Sequence, residues 1–557
     1  MPNRLEAKLD LAKLDNATTL SDLQTSDPEP QDIHLMQQEQ SLAQTSEKDQ
    51  QCLQYLRLTD PRHDKARIEQ AKGGLLDDAY KWILNHSDFL NWQNDQQSRL
   101  LWIKGGPGKG KTMLLIGLIN ELERLTATPN SGTLSFFLCQ GTDTHLNNAT
   151  SVLRGLVYLL IVQQDCLISH LRTEYDRAGQ RLLEGENAFH ALSTIFHAML
   201  NDPRLTGAYL VVDALDECEA GLALLLNLIT QTASDASARV KWIVSSRNIP
   251  DIERHLGVNG DSVKLSLEMN AQLVSRAVEA YIEFKVSKLA AIQHDKPLQE
   301  QVRNIMRQKA DGTFLWLALV FKELQNVESY DVLAVLDEMP PELTSLYDRM
   351  MSHIARLKRK DPEFCRLVLS TATLAYRPLH WLELRMLAGI QAHCPDFARL
   401  ERIINLCGSF LMSRDGFVYF VHQSAKDYIV TNASSTIFSD GPELAHSNIV
   451  SRSLNVLSDT LQRNIYNLSH SGVPIDDIKE PTPNPIAIVQ YSSIYWIDHF
   501  CEVTYPSIER QTALSDNGAI FLFFKQHLLH WIESLSLLRR LIDGLLSIRK
   551  LLRVALV

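Results

Sequence analysis

The sequence lacks any cysteine pattern that would hold a metal. Its eight cysteines are scattered, with no CxxC pair and no zinc-ligand spacing. Most lie in apolar surroundings and read as reduced core residues, which argues against a disulfide-stapled secreted scaffold and predicts a cytoplasmic location. No stretch approaches the roughly 18 consecutive apolar residues of a membrane span, and the N-terminus has no apolar secretion segment. A basic excess is missing too. The net charge is −11, so general nucleic-acid binding is not expected as the main task. No internal repeat with a period of about 20–50 residues is found. Aromatic residues are absent from residues 1–50, which are rich in Gln, Asp, Glu, Ser and Thr and read as a disordered segment.

What remains is ordinary for a soluble globular protein: 557 residues, 45% hydrophobic and 22% charged. That length predicts about three to five domains.

One short run stands out. Gly105, Gly106, Pro107, Gly108, Lys109, Gly110, Lys111 and Thr112 fit G-x-x-x-x-G-K-[ST], the phosphate-cradling loop. Leu100 to Lys104 reads as a buried strand entering it, and Met113 to Leu122 as the helix leaving it. Glycines let backbone N–H groups converge on phosphate oxygens, and the helix N-terminus adds donors and a positive dipole. Lys111 is expected to reach the β- and γ-phosphates, and Thr112 to hold Mg²⁺. Residues 105–113, ending at Met113, are therefore the candidate nucleotide contacts.

Two further strand ends carry chemistry. Tyr209 to Val212 is apolar and leads into Asp213, followed by Asp216 and Glu217. An acid there holds Mg²⁺ in phosphate-loop enzymes; Asp216 is a candidate for the same shell, and Glu217 for orienting or deprotonating water. The bland alternative is a strand followed by helix-capping acids. Val240 to Ser245 precedes Ser246 and Arg247, whose guanidinium is placed to sense a γ-phosphate. Asp143 and His145 lack metal spacing and read as surface loop residues. His422 alone reads as a structural histidine.

The organisation follows from periodicity. Residues 51–98 read as a helical lead-in, with Asp60-Pro61 opening a helix and Gly73-Gly74 breaking it. Residues 99–268 alternate short apolar strands with helices, which predicts a three-layer α/β domain with a parallel sheet. Residues 269–357 read as helical. Residues 358–432 mix helices with a hairpin turning at Asp415-Gly416. Residues 433–557 are helical again, and the basic amphipathic run from Leu537 to Val557 is expected to pack on preceding helices rather than on a membrane or partner.

Taken in order, these motifs resemble the fungal NACHT-domain STAND NTPases, the NOD-like receptors similar to vegetative-incompatibility proteins with WD40 repeats. Lys72-Gly-Gly-Leu-Leu76 and Tyr80-Lys-Trp-Ile83 resemble their lead-in. Val212-Asp-Ala-Leu-Asp-Glu-Cys218 resembles their extended Walker B, where animal relatives usually have glycine at the position of Ala214. Ser245-Ser-Arg247 resembles their sensor. Asp311-Gly-Thr-Phe-Leu-Trp316 resembles their next helical segment, without the proline many relatives use to contact adenine. Arg377-Pro-Leu and Val421 to Tyr428 resemble their winged helix. The resemblance covers residues 50–545, without the repeat array, and the first 50 residues resemble no effector domain.

The resemblance implies a P-loop NTPase domain followed by a helical domain, a winged-helix domain and a C-terminal helical region. It implies an ATP/ADP switch with Mg²⁺, GTP being the alternative nucleotide. Lys111, Asp213, Asp216, Glu217 and Arg247 would act on the triphosphate, Thr112 and Asp213 would hold the metal, and His422 would bind the β-phosphate of ADP. Slow hydrolysis, self-oligomerisation in the active state and further protein partners at either end are expected. Two other readings stay open: an ATPase whose turnover does remodelling work, and a non-catalytic helical scaffold.

Overall fold

The computed structural model describes residues 47–128, 131–183, 185, 187–235, 239–257, 262–325, 327–470, 472–503 and 513–555. Most of the segment read as disordered lies outside the described residues. The chain divides into two compact units, residues 1–55 and 56–557. In the first, residues 47–55 are helical. The second contains all remaining elements.

Helix α1 (Pro61–Ala71) starts where Asp60 accepts the Arg62 N–H at 3.0 Å, with Pro61 in the first turn. It stops at Gly73-Gly74. The next stretch resolves into α2 (Asp77–Tyr80), a 3₁₀ turn (Lys81–Asn85) and α3 (Ser87–Asn94). Tyr80 anchors it. The ring lies so close to Gly117 that a Cβ there would come within 2.3 Å, and its hydroxyl donates to Glu121 at 2.7 Å.

Five strands follow: β1 (Leu100–Lys104), β2 (Thr133–Leu138), β3 (Ala208–Asp213), β4 (Val240–Ser246) and β5 (Ser262–Ser266). Their order is β2-β3-β4-β1-β5 and every neighbouring pair is parallel. Parallel neighbours need crossovers over the sheet faces. These are α4 (Lys111–Leu125), α5 (Ala149–Gln163), α6 (Ile168–Ala178), α7 (Ala188–Leu200), α8 (Leu222–Ser234) and α9 (Pro250–Leu256). Leu101, Trp102, Ile103, Val211, Val212, Ile243 and Val244 are completely buried, which is why the strands read as apolar runs without alternation. The register pairs Lys104 with Ser246 and Leu138 with Asp213. The carboxyl ends of β1, β3 and β4 are thus side by side, where ligands bind in open α/β sheets.

Five helices come next: α10 (Ala271–Ser287), α11 (Lys296–Ala310), α12 (Phe314–Leu324), α13 (Val332–Asp337) and α14 (Leu343–Ala355). Then α15 (Asp361–Leu374), β6 (Leu379–His380), α16 (Trp381–Leu387), α17 (Phe397–Leu406), β7 (Leu411–Arg414) and β8 (Phe417–Phe420) follow in winged-helix order. Their small antiparallel sheet is β6-β8-β7. Asp415 and Gly416 turn the hairpin with φ of 52° and 80°. Helix α18 (Gln423–Thr431) leaves the sheet.

The C-terminal helices are α19 (Ser434–Ile437), α20 (Pro442–Thr460), α21 (Gln490–Glu502), α22 (Ala519–Leu537) and α23 (Leu541–Ala555). Leu457, Trp496, Phe523 and Trp531 centre their core. Helix α23 buries Leu551 there but leaves Leu541, Ile542, Leu545 and Leu552 exposed. Only one face of this run packs. No helix among the described residues is long and apolar enough to cross a membrane.

Candidate functional site

The loop between β1 and α4 is held from several sides. Gly105 donates its N–H to the Ser246 carbonyl at 3.2 Å, and Gly106 donates to the Glu268 carboxylate at 2.5 Å. Gly108 and Gly110 have φ of +75° and +87°, a region open to glycine at no steric cost. Space forbids a side chain as well. A Cβ at Gly108 would lie 2.8 Å from Leu315, and one at Gly110 would lie 2.9 Å from the Phe314 ring. The start of α12 therefore lies directly on the loop, and Lys109 Nζ fastens it by donating to the Asp311 carbonyl at 2.6 Å.

The internal ladder of α4 begins with Leu114 N–H to the Gly110 carbonyl at 3.0 Å. The N–H groups of Lys111, Thr112 and Met113 are thus among those a helix leaves without an internal partner. Lys111 Nζ donates to the carbonyls of Gly105 at 2.7 Å and Gly106 at 3.0 Å. An ammonium has a third proton to give. Burial lowers its pKa, opposed by the charges of Asp216 and Asp213.

Asp213 ends β3 and is buried at the floor of the site. Ser245 Oγ donates to its carboxylate at 2.5 Å and accepts the Ala214 N–H at 2.9 Å. Burial raises the Asp213 pKa, against hydrogen bonds from Ser245 and Thr112 and the charges of Lys72 and Lys111. Ala214 has φ of 54°, in the left-handed region that costs a residue with a Cβ and favours glycine. The 3₁₀ turn Leu215–Glu217 then separates the next two acids. Glu217 accepts the Gly141 N–H at 2.9 Å, and burial lifts its carboxyl to about 7. Both Asp216 oxygens go to Arg247, accepting its N–H at 2.9 Å and pairing with Nε at 3.0 Å. In this geometry Asp216 holds the arginine rather than facing a metal.

Arg247 reaches further. Its Nη1 donates to Asp427 of α18 at 2.7 Å, joining the end of β4 to the helix that His422 caps. His422 Nδ1 accepts the Ser424 N–H at 3.1 Å and meets Ser424 Oγ at 2.8 Å, and that hydroxyl meets Tyr347 at 3.0 Å. An Nδ1 that accepts a backbone N–H leaves the ring proton on Nε2. Burial, reinforced by Lys72, Arg247 and Lys111, pushes the His422 pKa well below its usual value, so the ring is a neutral donor at pH 7.

These groups share one cavity of about 640 Å³. Residues 107–113, Asp216, Glu217, Arg247 and His422 line its polar end, and Asp213 lies beneath it against Thr112. Trp82, Tyr281, Phe314 and Phe321 also line the cavity, the Phe314 ring lying against Gly110. Asp143 and His145 hydrogen-bond to each other at 2.9 Å through the His145 N–H and do not line the cavity. Sequence reasoning missed that Asp427 pairs with Arg247 and that Lys72 lines the cavity. Asp427 is 180 residues from its partner, and no local pattern could signal it. Among the described residues no three His, Cys, Asp or Glu side chains gather as a metal cage. Free helix N–H groups, Lys111 and a buried acid beside a threonine hydroxyl fit a magnesium-bound polyphosphate.

A five-stranded parallel sheet in this order, with a glycine loop feeding α4 and a buried acid ending β3, defines a phosphate-loop NTPase domain followed by helical segments. Residues 78–247 match the family described as Nephrocystin 3, N-terminal. Vegetative incompatibility protein HET-E-1 of Podospora anserina is 46% identical over 521 residues, 90% of this chain. The chain is thus similar to the NACHT-like fungal STAND NTPases. It spans 38% of the length of that relative. Among solved structures, a Walker-type ATPase of Pyrococcus abyssi aligns at 13% identity and TM-score 0.29, over 64% of this chain and 95% of that one. A Drosophila ORC structure bound to DNA aligns at 14% identity and TM-score 0.28, over 76% of this chain and 99% of that one. The fold assignment rests on strand order and loop rather than on these weak superpositions.

Proposed function

We propose that this chain is an ATP/ADP-dependent signalling switch with slow, magnesium-dependent hydrolysis, acting in the fungal cytoplasm in innate-immunity or incompatibility-type signalling. The observation that carries the reading is the single cavity shared by the glycine loop, Glu217, Arg247 and His422, with Asp213 against Thr112 at its floor.

The backbone donors of residues 111–113 and the Lys111 ammonium would hold the phosphates. Thr112 and Asp213 would hold magnesium, which when bound supplies neutralisation of phosphate charge. Glu217, with a pKa lifted to about 7 by burial, is poised to take a proton from an attacking water near neutral pH. His422 would give its Nε2 proton to a diphosphate oxygen. His422 caps α18 and Asp427 lies on it, so a ligand drawing on His422 or Arg247 acts on that same helix. Nucleotide biases such an equilibrium only by binding the two states differently. A triphosphate competing with Asp427 for Arg247 would release α18, and the freed surfaces would self-associate. The aromatic side chains lining the cavity suit stacking with either purine, so GTP stays the alternative to ATP.

The test is to identify nucleotide that co-purifies with the chain and to measure particle mass in ADP and in a non-hydrolysable ATP analogue. The expected result is a monomer with ADP and a larger assembly with the analogue. A chain that binds neither nucleotide, or stays monomeric in both, would sink the switch.

A further inference from the structure

The nucleotide loop has one lysine that motif reasoning assigns. A second lysine enters the same cavity from outside the nucleotide domain. Lys72 caps the C-terminus of α1, its N–H donating to the Ile68 carbonyl at 3.1 Å. It lines the cavity with Gly110, Glu217 and His422. Its side chain is open to cavity solvent yet ringed by protein, within electrostatic range of Asp213 and Glu217.

The placement is built. Lys65 ties α1 to α4, its Nζ donating to Asn120 at 2.6 Å and to Glu123 at 2.9 Å. Arg67 donates to Gln140 at 2.5 Å, after β2. Arg414 of β7 donates to the Arg67 carbonyl and to Gln70, both at 3.2 Å. Gly73 and Gly74, each at φ +87°, donate back to Gln70 and Glu69 at 3.0 Å and turn the chain away. Three anchors and a sharp reversal thus hold Lys72, the residue that caps α1, in the cavity wall.

Charge counting says what that residue does there. Asp216 is paired with Arg247, leaving Asp213 and Glu217 opposite Lys72 and Lys111. A magnesium-bound triphosphate carries one more negative charge than a magnesium-bound diphosphate. Lys111 is fixed at the loop, where both nucleotides place their β-phosphate. The extra charge of the triphosphate falls toward Glu217, the acid nearest the hydrolytic role, and of the several cations that line the cavity Lys72 is the one whose charge acts on both Asp213 and Glu217 from outside the loop.

We propose that Lys72 is a second phosphate-contacting lysine, supplied by the segment before the nucleotide domain, and that it discriminates triphosphate from diphosphate. The proposal rests on the switch reading. It adds that α1 senses the terminal phosphate directly, so the segment preceding the nucleotide domain reports which nucleotide is bound.

The experiment uses the full chain and measures equilibrium binding of a magnesium-bound non-hydrolysable ATP analogue and of magnesium-ADP. Lys72→Met should weaken the analogue about tenfold, the worth of one charge-assisted contact, and change ADP less than about twofold. Lys72→Arg should restore most of the analogue's affinity. A measurement without mutation accompanies it: acetylation of Lys72 in the wild-type chain, read by mass spectrometry, should be slowed by the analogue and much less by ADP. Equal loss of both nucleotides in Lys72→Met, no loss of either, or equal protection by both would overturn the assignment and leave the switch standing. A wild-type chain that binds neither nucleotide would remove the switch and this inference together.

Discussion

Asp427→Asn removes one charge from the contact between Arg247 and α18 while keeping its shape and an acceptor oxygen. Arg247 is held by Asp216 on its own domain and reaches Asp427 at 2.7 Å. The Arg247 and Asp427 side chains are 24% and 37% exposed, so solvent screens the pair and its worth falls toward that of a surface ion pair, about 0.5–1 kcal/mol. If this contact helps hold α18 against the nucleotide domain, losing it shifts the closed-to-open ratio roughly two- to fivefold. Arg247 keeps its bonds to Asp216, so the sensor should stay in place. The readout is the ADP dissociation rate, followed by stopped-flow fluorescence of a labelled ADP at low salt. Asp427→Asn should speed release two- to fivefold. High salt should bring the wild type toward the mutant, because the lost interaction is screened. A double-mutant cycle with Arg247→Met isolates the pair. A coupling below about 0.2 kcal/mol, or release that salt does not touch, would refute the clamp.

The other predictions concern the phosphates. Lys111→Ala should weaken both nucleotides by roughly 2–3 kcal/mol, or about thirty- to a hundred-and-fiftyfold, because a charge-assisted contact is lost; unchanged affinity by calorimetry would defeat the loop assignment. Glu217→Gln should leave ATP affinity near wild type while hydrolysis falls by about 10²–10⁴. In the wild type the ionised base is required and its pKa is raised to about 7, so hydrolysis should decline about tenfold per pH unit below that point and level off above it; a profile flat across that range would exclude this base. His422→Ala should weaken ADP about five- to tenfold and the ATP analogue much less, the loss of one neutral donor to a charged group, and should favour assembly by light scattering. Retained ADP preference with a monomeric ATP-bound form would count against that role.

The legible part of this molecule was its local chemistry. Strands such as Leu100–Lys104 are buried on both faces, so composition alone marked them. Gly105 to Thr112 and Asp213 stood out because the chemistry proposed for them needs particular residues at fixed spacing. The Asp415-Gly416 turn was visible because few residues adopt its left-handed φ values. What stayed hidden was pairing across the chain. Nothing near Asp427 says that it meets Arg247, and nothing near Tyr347 says that it supports His422 through Ser424. The same limit applies to Asp216, whose nearness to Asp213 suggested a metal role but whose oxygens go to Arg247. Strand order decides that outcome. With β4 beside β3, Arg247 leaving β4 meets Asp216 leaving β3, and that acid neutralises it.

That layout also bears on why the site reaches so far along the chain. The cavity's polar end draws Lys72 from the lead-in, Lys111 from the loop, Glu217 and Arg247 from the sheet, and His422 from the winged helix. A hydrolase needs only the middle three, all within one domain. Placing the other two on separate elements adds no evident chemistry, but it makes the charge of the bound nucleotide a term in the energy of packing those elements together. Lys72 and His422 answer opposite ligands in this scheme, the first a terminal phosphate and the second a diphosphate. Their free-energy effects should therefore oppose each other. The double variant Lys72→Met/His422→Ala should bind analogue and ADP with a ratio close to that of the wild type, though each more weakly, while the single variants move the ratio in opposite directions. Ratios that shift the same way in both single variants would mean that the two residues do not read different nucleotides.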